Sequence, residues 1–187
     1  MKASLTIFVF CFLLNVISYS QEVDSTQNFI FWSDDYRLIW TDFEKLPQRY
    51  SEHTAFSVIG YICEFEMNDR HYKVNIRTYF DRNNSWSKHW VPILLSHEQG
   101  HFDLAEIYAR KFRLEILEAM KSGNISIKKF EQMSDAAMRR LEEAQLEYDK
   151  ATNYSLDYRA QLKWNEHIKE ELMKFDHLKN PEIVVSR

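Results

Sequence analysis

From Phe56 the chain alternates. Ile59, Tyr61, Cys63, Phe65 and Met67 fall at every second position, Asn68-Asp69 is a turn signal, and Tyr72, Val74, Ile76, Thr78 and Phe80 then alternate against Lys73, Asn75 and Arg77. A period of two puts each set on one face of a strand, so the two runs predict an antiparallel hairpin. After Pro92 the period changes, and Leu94, His97, His101, Ala105, Tyr108 and Phe112 recur at threes and fours. Pro92 suits a first helical turn and Gly123 a C-terminal stop, which bounds one long helix. Ile127, Phe130, Met133, Ala137, Leu141, Ala144 and Tyr148 mark a second helix. A polar interruption at 151–157 separates it from a third, marked by Tyr158, Leu162, Asn165, Ile168, Leu172 and Phe175.

The remaining segments are weaker signals. Arg37 to Phe43 reads as a short first strand leading to a turn near Pro47, residues 81–85 as a loop, 21–35 as a polar and flexible lead, and 181–187 as a C-terminal tail. No strand–helix–strand alternation occurs. The fold class is therefore α+β: a small antiparallel sheet followed by a long helix and two further helices, in one domain over residues 36–180.

The first twenty residues differ from the rest. Lys2 gives a positive start, Leu5 to Ile17 is almost wholly apolar, and Ser18-Tyr19-Ser20 supplies small residues before Gln21. This pattern predicts a secretory signal peptide over residues 1–20, too short in its apolar core for a spanning helix. The expectation is a secreted or periplasmic protein with no stable membrane insertion after cleavage. Removal of the leader, with Cys11, leaves Cys63 as the one cysteine, which rules out an intramolecular disulfide and a cysteine-rich zinc site. The 187 residues are 45% hydrophobic with net charge -4, which suits a single globular domain and gives no electrostatic footprint for nucleic acid.

His97-Glu98-Gln99-Gly100-His101 carries the chemistry. Residues four apart share a helix face, so both imidazoles can reach one Zn²⁺, and Glu98 beside them can serve as the catalytic general base for a metal-bound water. The pKa of such a water falls from about 15.7 to near 7, within reach of a carboxylate at neutral pH. The alternative is two partly buried histidines hydrogen-bonded in a core, with Glu98 solvated. Gly100 costs about 1 kcal/mol in a helix relative to Ala, which implies close approach by a neighbouring element or substrate. A longer H-E-x-x-H-x-x-G-x-x-H pattern is absent, because Leu104 and Ile107 stand at its last two positions. The third ligand must come from farther along the chain. Asp103 and Glu106 are turned away from the His97/His101 line, which suits supporting or structural roles.

Leu94 to Glu106, reading LLSHEQGHFDLAE, resembles the core of the bacterial domain of unknown function 922 family, regarded as secreted zinc-dependent proteases. Leu38 to Phe43 resembles that family's opening strand motif, Ser85-Trp86 the pair before its helix, and Tyr148-Asp149, Thr152, Gln161 and Trp164 its C-terminal block. The resemblance implies a zincin-like catalytic domain, a peptide or protein substrate and a third zinc ligand two residues after the threonine. A histidine is expected there, and this chain has Tyr154. Either Tyr154 is the third ligand, or a nearby carboxylate among Asp149, Glu147 and Glu143 is, or the site is impaired. Two functions follow: a zinc metallopeptidase, or a non-catalytic envelope protein that keeps the scaffold as a binding or structural module.

Overall fold

A computed structural model describes residues 5–10, as main chain, and 28–187. The expected leader therefore lies largely outside the described residues. Seven strands and three helices follow in the order β1 (Leu5–Phe10), β2 (Phe29–Phe31), β3 (Ala55–Phe56), β4 (Ile59–Met67), β5 (His71–Asp81), β6 (Trp86–Ser87), α1 (Pro92–Lys121), α2 (Ile127–Ala151), α3 (Tyr158–Lys174) and β7 (Glu182–Ser186). The fold is α+β, as the pattern predicts.

The predicted hairpin forms the centre of the main sheet. β4 and β5 pair in the register Cys63↔Ile76 and Phe65↔Val74, and β1 runs antiparallel along the other edge of β4. The far side of β5 is shared end to end: β2 pairs with its last residues (Ile30↔Phe80) and β7 with its first (Val74↔Ile183). β3 and β6 make a separate two-stranded ribbon beside the start of α1.

Tyr61, Cys63 and Phe65 on β4 and Val74 and Ile76 on β5 face Ala105, Ala109, Phe112 and Ile116 of α1, and Phe130, Ala137 and Leu141 of α2 close the same core. A second cluster joins Leu104 and Ile107 of α1 to Tyr148 of α2 and Ile168 of α3. α1 thus lies between the sheet and the other two helices. Its burial on several sides explains why its polar residues include Glu106, Arg110 and Arg113, all within 2% of full burial. Glu106 accepts from Arg110 at 2.9 Å, Arg113 at 2.8 Å and the Thr78 hydroxyl at 2.7 Å, while Arg113 also donates to the carbonyls of Ile76 and Leu178. Buried charges survive when paired in this way, and here they join helix, sheet and C-terminal segment.

Three expectations are corrected. Residues 37–43 do not form a strand: Trp40–Asp42 is a 3-10 turn in which the Asp42 carboxylate accepts from the Ile39 N–H and the Tyr36 hydroxyl. An acidic side chain with local amides in reach competes with strand pairing. Residues 181–187 are not a tail, because Ile183 and Val185 alternate into the sheet as β7. The lead over 21–35 contains β2, and Trp32 beyond it donates to Asp103 at 2.7 Å, which ties this segment to α1.

Candidate metal centre

The first turns of α1 project His97, Glu98 and His101 toward α2 and the 52–59 segment. No side chain caps the N-terminus of α1, where Val91 is extended and Pro92 occupies the first turn. Hydrogen bonds pin these turns from outside, from the Leu38 N–H to the Gln99 side chain at 2.8 Å and from the Asn165 amide to the Ser96 hydroxyl at 3.0 Å. α2 begins at Ser126, whose hydroxyl caps the Lys129 N–H, and lies along α1 so that Gln145, Tyr148, Asp149 and Thr152 meet the motif.

The two imidazoles and Asp149 converge on one point. His97 Nε2 lies 3.1 Å from His101 Nε2, and Asp149 Oδ1 lies 3.1 Å from the first and 3.0 Å from the second. Three donors on a tetrahedral zinc at 2.0–2.1 Å stand about 3.3–3.4 Å apart, so this triangle is within a few tenths of an ångström of what an ion needs.

The opposite edges of the rings fix which nitrogen carries the proton. The Gln145 amide nitrogen donates to the His101 carbonyl at 3.0 Å, and a carbonyl can only accept. The Gln145 oxygen therefore faces His101 Nδ1, which must donate to it. A similar chain anchors His97. The Tyr148 hydroxyl donates to the His97 carbonyl at 3.2 Å and accepts from the Gln161 amide at 2.5 Å, and the Gln161 oxygen accepts from His97 Nδ1 at 3.1 Å. Burial drives the Tyr148 phenol far above its ordinary pKa, so it remains a donor. With both Nδ1 atoms protonated, a neutral imidazole points its Nε2 lone pair at the common centre. Two such lone pairs and a carboxylate oxygen at 3 Å repel one another unless a cation or proton stands between them. The residues therefore fit a divalent metal.

The electrostatics agree. Burial pushes the His101 imidazole down, but hydrogen bonding to Asp149 and the charge of Glu98 outweigh it, and its pKa is raised. Burial would raise the Asp149 carboxyl, but bonding to His101 and His97 overrides it and holds the group well below the usual carboxylate range. Both shifts follow from the close approach of the carboxylate to the two imidazoles.

Gly100 has the close neighbour its position implies. A Cβ there would lie 2.7 Å from Tyr148 Cζ, well inside contact distance. The glycine makes room for the ring, which stacks on His97 at 4.7 Å between centroids.

Glu98 is buried, and its Oε2 accepts from the Ser57 hydroxyl at 2.5 Å. Ser57 follows β3, whose neighbour Val58 is held through its N–H by the Ser85 hydroxyl at 2.9 Å. A cavity of about 860 Å³ opens between this segment and α2, lined by His97, Glu98, His101 and Asp149.

Of the three residues expected at the metal, two are brought together. Asp149, one of the rival carboxylates, stands beside the imidazoles, and Tyr154 lines the same cavity. α2 stops at Thr152, and Asn153, Tyr154 and Ser155 all take left-handed backbone angles (φ 48°, 53° and 69°), which carries Tyr154 to the half-exposed lip of the cavity. Asp103 and Glu106 serve the supporting roles expected, Asp103 accepting from Gln99 and Trp32. His53 is exposed and lines the cavity, whereas His89 is exposed outside it. Sequence reasoning missed Ser57 and Gln145. No local pattern marks Ser57. Gln145 lies four residues before Asp149, the spacing that puts both on one helix face.

Residues 73–155 match the family model described as a bacterial protein of unknown function, DUF922. The family the sequence resembles is thus the family that matches, and the match runs from β5 to the turn after α2. It includes both imidazoles, Glu98, Asp149, Gln145 and Tyr148, and leaves out Ser57 and Gln161. No curated protein and no solved structure matches the chain. No helix among the described residues is long and apolar enough to cross a membrane.

Proposed function

We propose that this protein is a zinc-dependent metallopeptidase with a zincin-like catalytic domain, exported by its N-terminal leader to the periplasm or beyond. The observation that carries the reading is the convergence of His97 Nε2, His101 Nε2 and Asp149 Oδ1 with tautomers set by glutamine oxygens. Those three residues would hold Zn²⁺, which when bound acts as a Lewis acid and brings the pKa of a coordinated water near 7.

The chain's own groups supply the rest. Glu98 takes the proton from the attacking water as its oxygen joins the scissile carbonyl carbon, then passes that proton to the leaving amine as the C–N bond breaks. Ser57 holds the carboxylate in place for both transfers. The substrate's main chain has a partner in β3. Lys88 N–H donates to the Thr54 carbonyl at 2.8 Å, and Ala55 lies opposite Ser87. Alternation then turns the N–H and C=O of Ala55 away from β6, on a segment that lines the cavity. An extended peptide added there would run toward Glu98.

The observation that favoured a non-catalytic scaffold was a tyrosine in place of a histidine ligand. It carries less weight in our reading because Asp149 stands within 3.1 Å of both imidazoles. The test is zinc content and proteolysis of the mature protein and of Glu98→Gln. The reading expects one zinc in both and hydrolysis reduced by about 10²–10⁴-fold in the variant, the usual worth of a general base. Equal activity in the two would remove Glu98 from the mechanism, and a zinc-free, inactive protein would support the scaffold reading.

A further inference from the structure

The lining of the cavity carries more acid than the chemistry uses. Its carboxylates are Glu52, Glu98, Glu142 and Asp149, and among the described residues no Lys or Arg lines it. A divalent ion would balance Glu98 and Asp149, which leaves two negative charges. Glu52 lies on the β3 wall three residues before Ala55, and Glu142 lies on the α2 wall about one turn before Gln145, so the surplus is shared between opposite walls. The Lys88 ammonium, bonded to the Ser51 carbonyl and set over the Trp86 ring, keeps its charge but is not part of the lining.

The same opening is rimmed by large apolar side chains left in water: Phe56 is 44% exposed, Leu146 56%, Tyr154 52% and Leu156 76%. Such a rim around a polar centre marks a surface meant to be covered. The cavity thus combines a free strand edge, an apolar lip and unbalanced negative charge on both walls.

We propose that the cleft selects extended peptide segments in which a bulky apolar residue is flanked by lysine or arginine. This rests on reading the cavity as a peptide cleft. The apolar residue covers the Leu146/Leu156 lip, the main chain pairs with Ala55, and the cations face Glu52 and Glu142. Each such charge contact at a half-solvated rim changes affinity by about threefold, so two give about tenfold.

The experiment measures fluorescence anisotropy of two labelled hexapeptides, Ser-Lys-Phe-Leu-Lys-Ser and Ser-Glu-Phe-Leu-Glu-Ser, on the zinc-loaded Glu98→Gln protein. It is run at pH 8, above the ordinary imidazole range, in about 0.05 and 0.3 M salt. The lysine peptide should bind at least tenfold more tightly at low salt, with the ratio shrinking at high salt. The ratio should fall toward one in Glu52→Gln/Glu142→Gln, and Glu142→Lys should shift preference toward the glutamate peptide. Equal affinities, or a lysine preference that the two rim substitutions leave intact, would overturn the proposal. Exposure of both peptides to the unsubstituted protein separates the two readings. Cleavage of both at the same rate keeps the peptidase and sinks the charge rule. Charge-selective binding with no cleavage keeps the rule and sinks the peptidase.

Discussion

Replacing Gly100 with alanine tests the packing that supports the proposed metal centre. In an ordinary helix interior the change stabilises by about 1 kcal/mol. Here the added methyl would lie 2.7 Å from Tyr148 Cζ and 3.1 Å from its Cε1. Tyr148 is fully buried between α1 and α3, so its ring cannot swing into solvent. Overpacking of this kind costs about 1–3 kcal/mol. A displaced ring also weakens its bonds to the His97 carbonyl and the Gln161 amide, each worth about 1 kcal/mol. After the helix-propensity gain is subtracted, the net is a loss of about 2 kcal/mol, or a melting temperature lower by about 4–8 °C for a chain of this size. Thermal unfolding followed by circular dichroism reads this directly. Because Tyr148 anchors Gln161, zinc affinity should also fall, by about 10–100-fold. Adding Tyr148→Leu to Gly100→Ala should recover part of the stability but not the affinity. A melting temperature equal to or above that of the parent protein would refute the reasoning, since the glycine would then be an ordinary helical glycine.

Other consequences can be checked in the same preparations. Asp149→Asn should lower zinc affinity at least as much as loss of an outer partner, about 10–100-fold, whereas Tyr154→Phe should leave zinc content unchanged, both read by metal analysis after dialysis. Gln145→Leu frees His101 Nδ1 and should weaken zinc binding by a similar 10–100-fold with little change in zinc-free melting temperature. The raised pKa of His101 means that a proton on this ring stabilises the zinc-free fold at low pH, and that this stabilisation fades as pH rises through the folded value. Zinc competes with that proton, so the gain in melting temperature on adding zinc should grow from pH 6 to pH 8, and a gain independent of pH would contradict the assignment. Glu106→Gln leaves Arg110 and Arg113 buried without their carboxylate and should cost about 3–5 kcal/mol in urea unfolding, whereas a loss under 1 kcal/mol would show the network to be dispensable.

Much of the fold was legible because its largest elements carry clean periods. β4 and β5 alternate over nine and eleven residues, and the three helices end close to the punctuation that predicts them, Pro92, Gly123 and the polar break after Ala151. The failures are short segments at the edge of the sheet. β7 has five residues and β2 three, too few for a period to stand out, and both are defined by pairing with β5 rather than by their own pattern. The 37–43 segment misled because its apolar residues pack around a turn held by Asp42, which a strand reading treats as a surface residue.

The site divides the same way. His97, Glu98 and His101 were legible because a helix fixes their relation within one turn. The approach of Asp149 to them was not, because it depends on how α2 is rotated against α1. The resemblance pointed two residues past Thr152, but the helix ends at that threonine and the backbone turns left-handed, so Tyr154 leaves the line. Asp149, three residues before Thr152 and still helical, keeps the face toward the imidazoles.

What binds between those three side chains is the most direct test of a zinc site. Anomalous diffraction at the zinc absorption edge, from crystals of the mature protein, should give a single strong peak at about 2.0–2.2 Å from His97 Nε2, His101 Nε2 and an Asp149 carboxylate oxygen. A peak coordinated instead by the Tyr154 phenolate, or no peak in zinc-supplemented crystals, would contradict it.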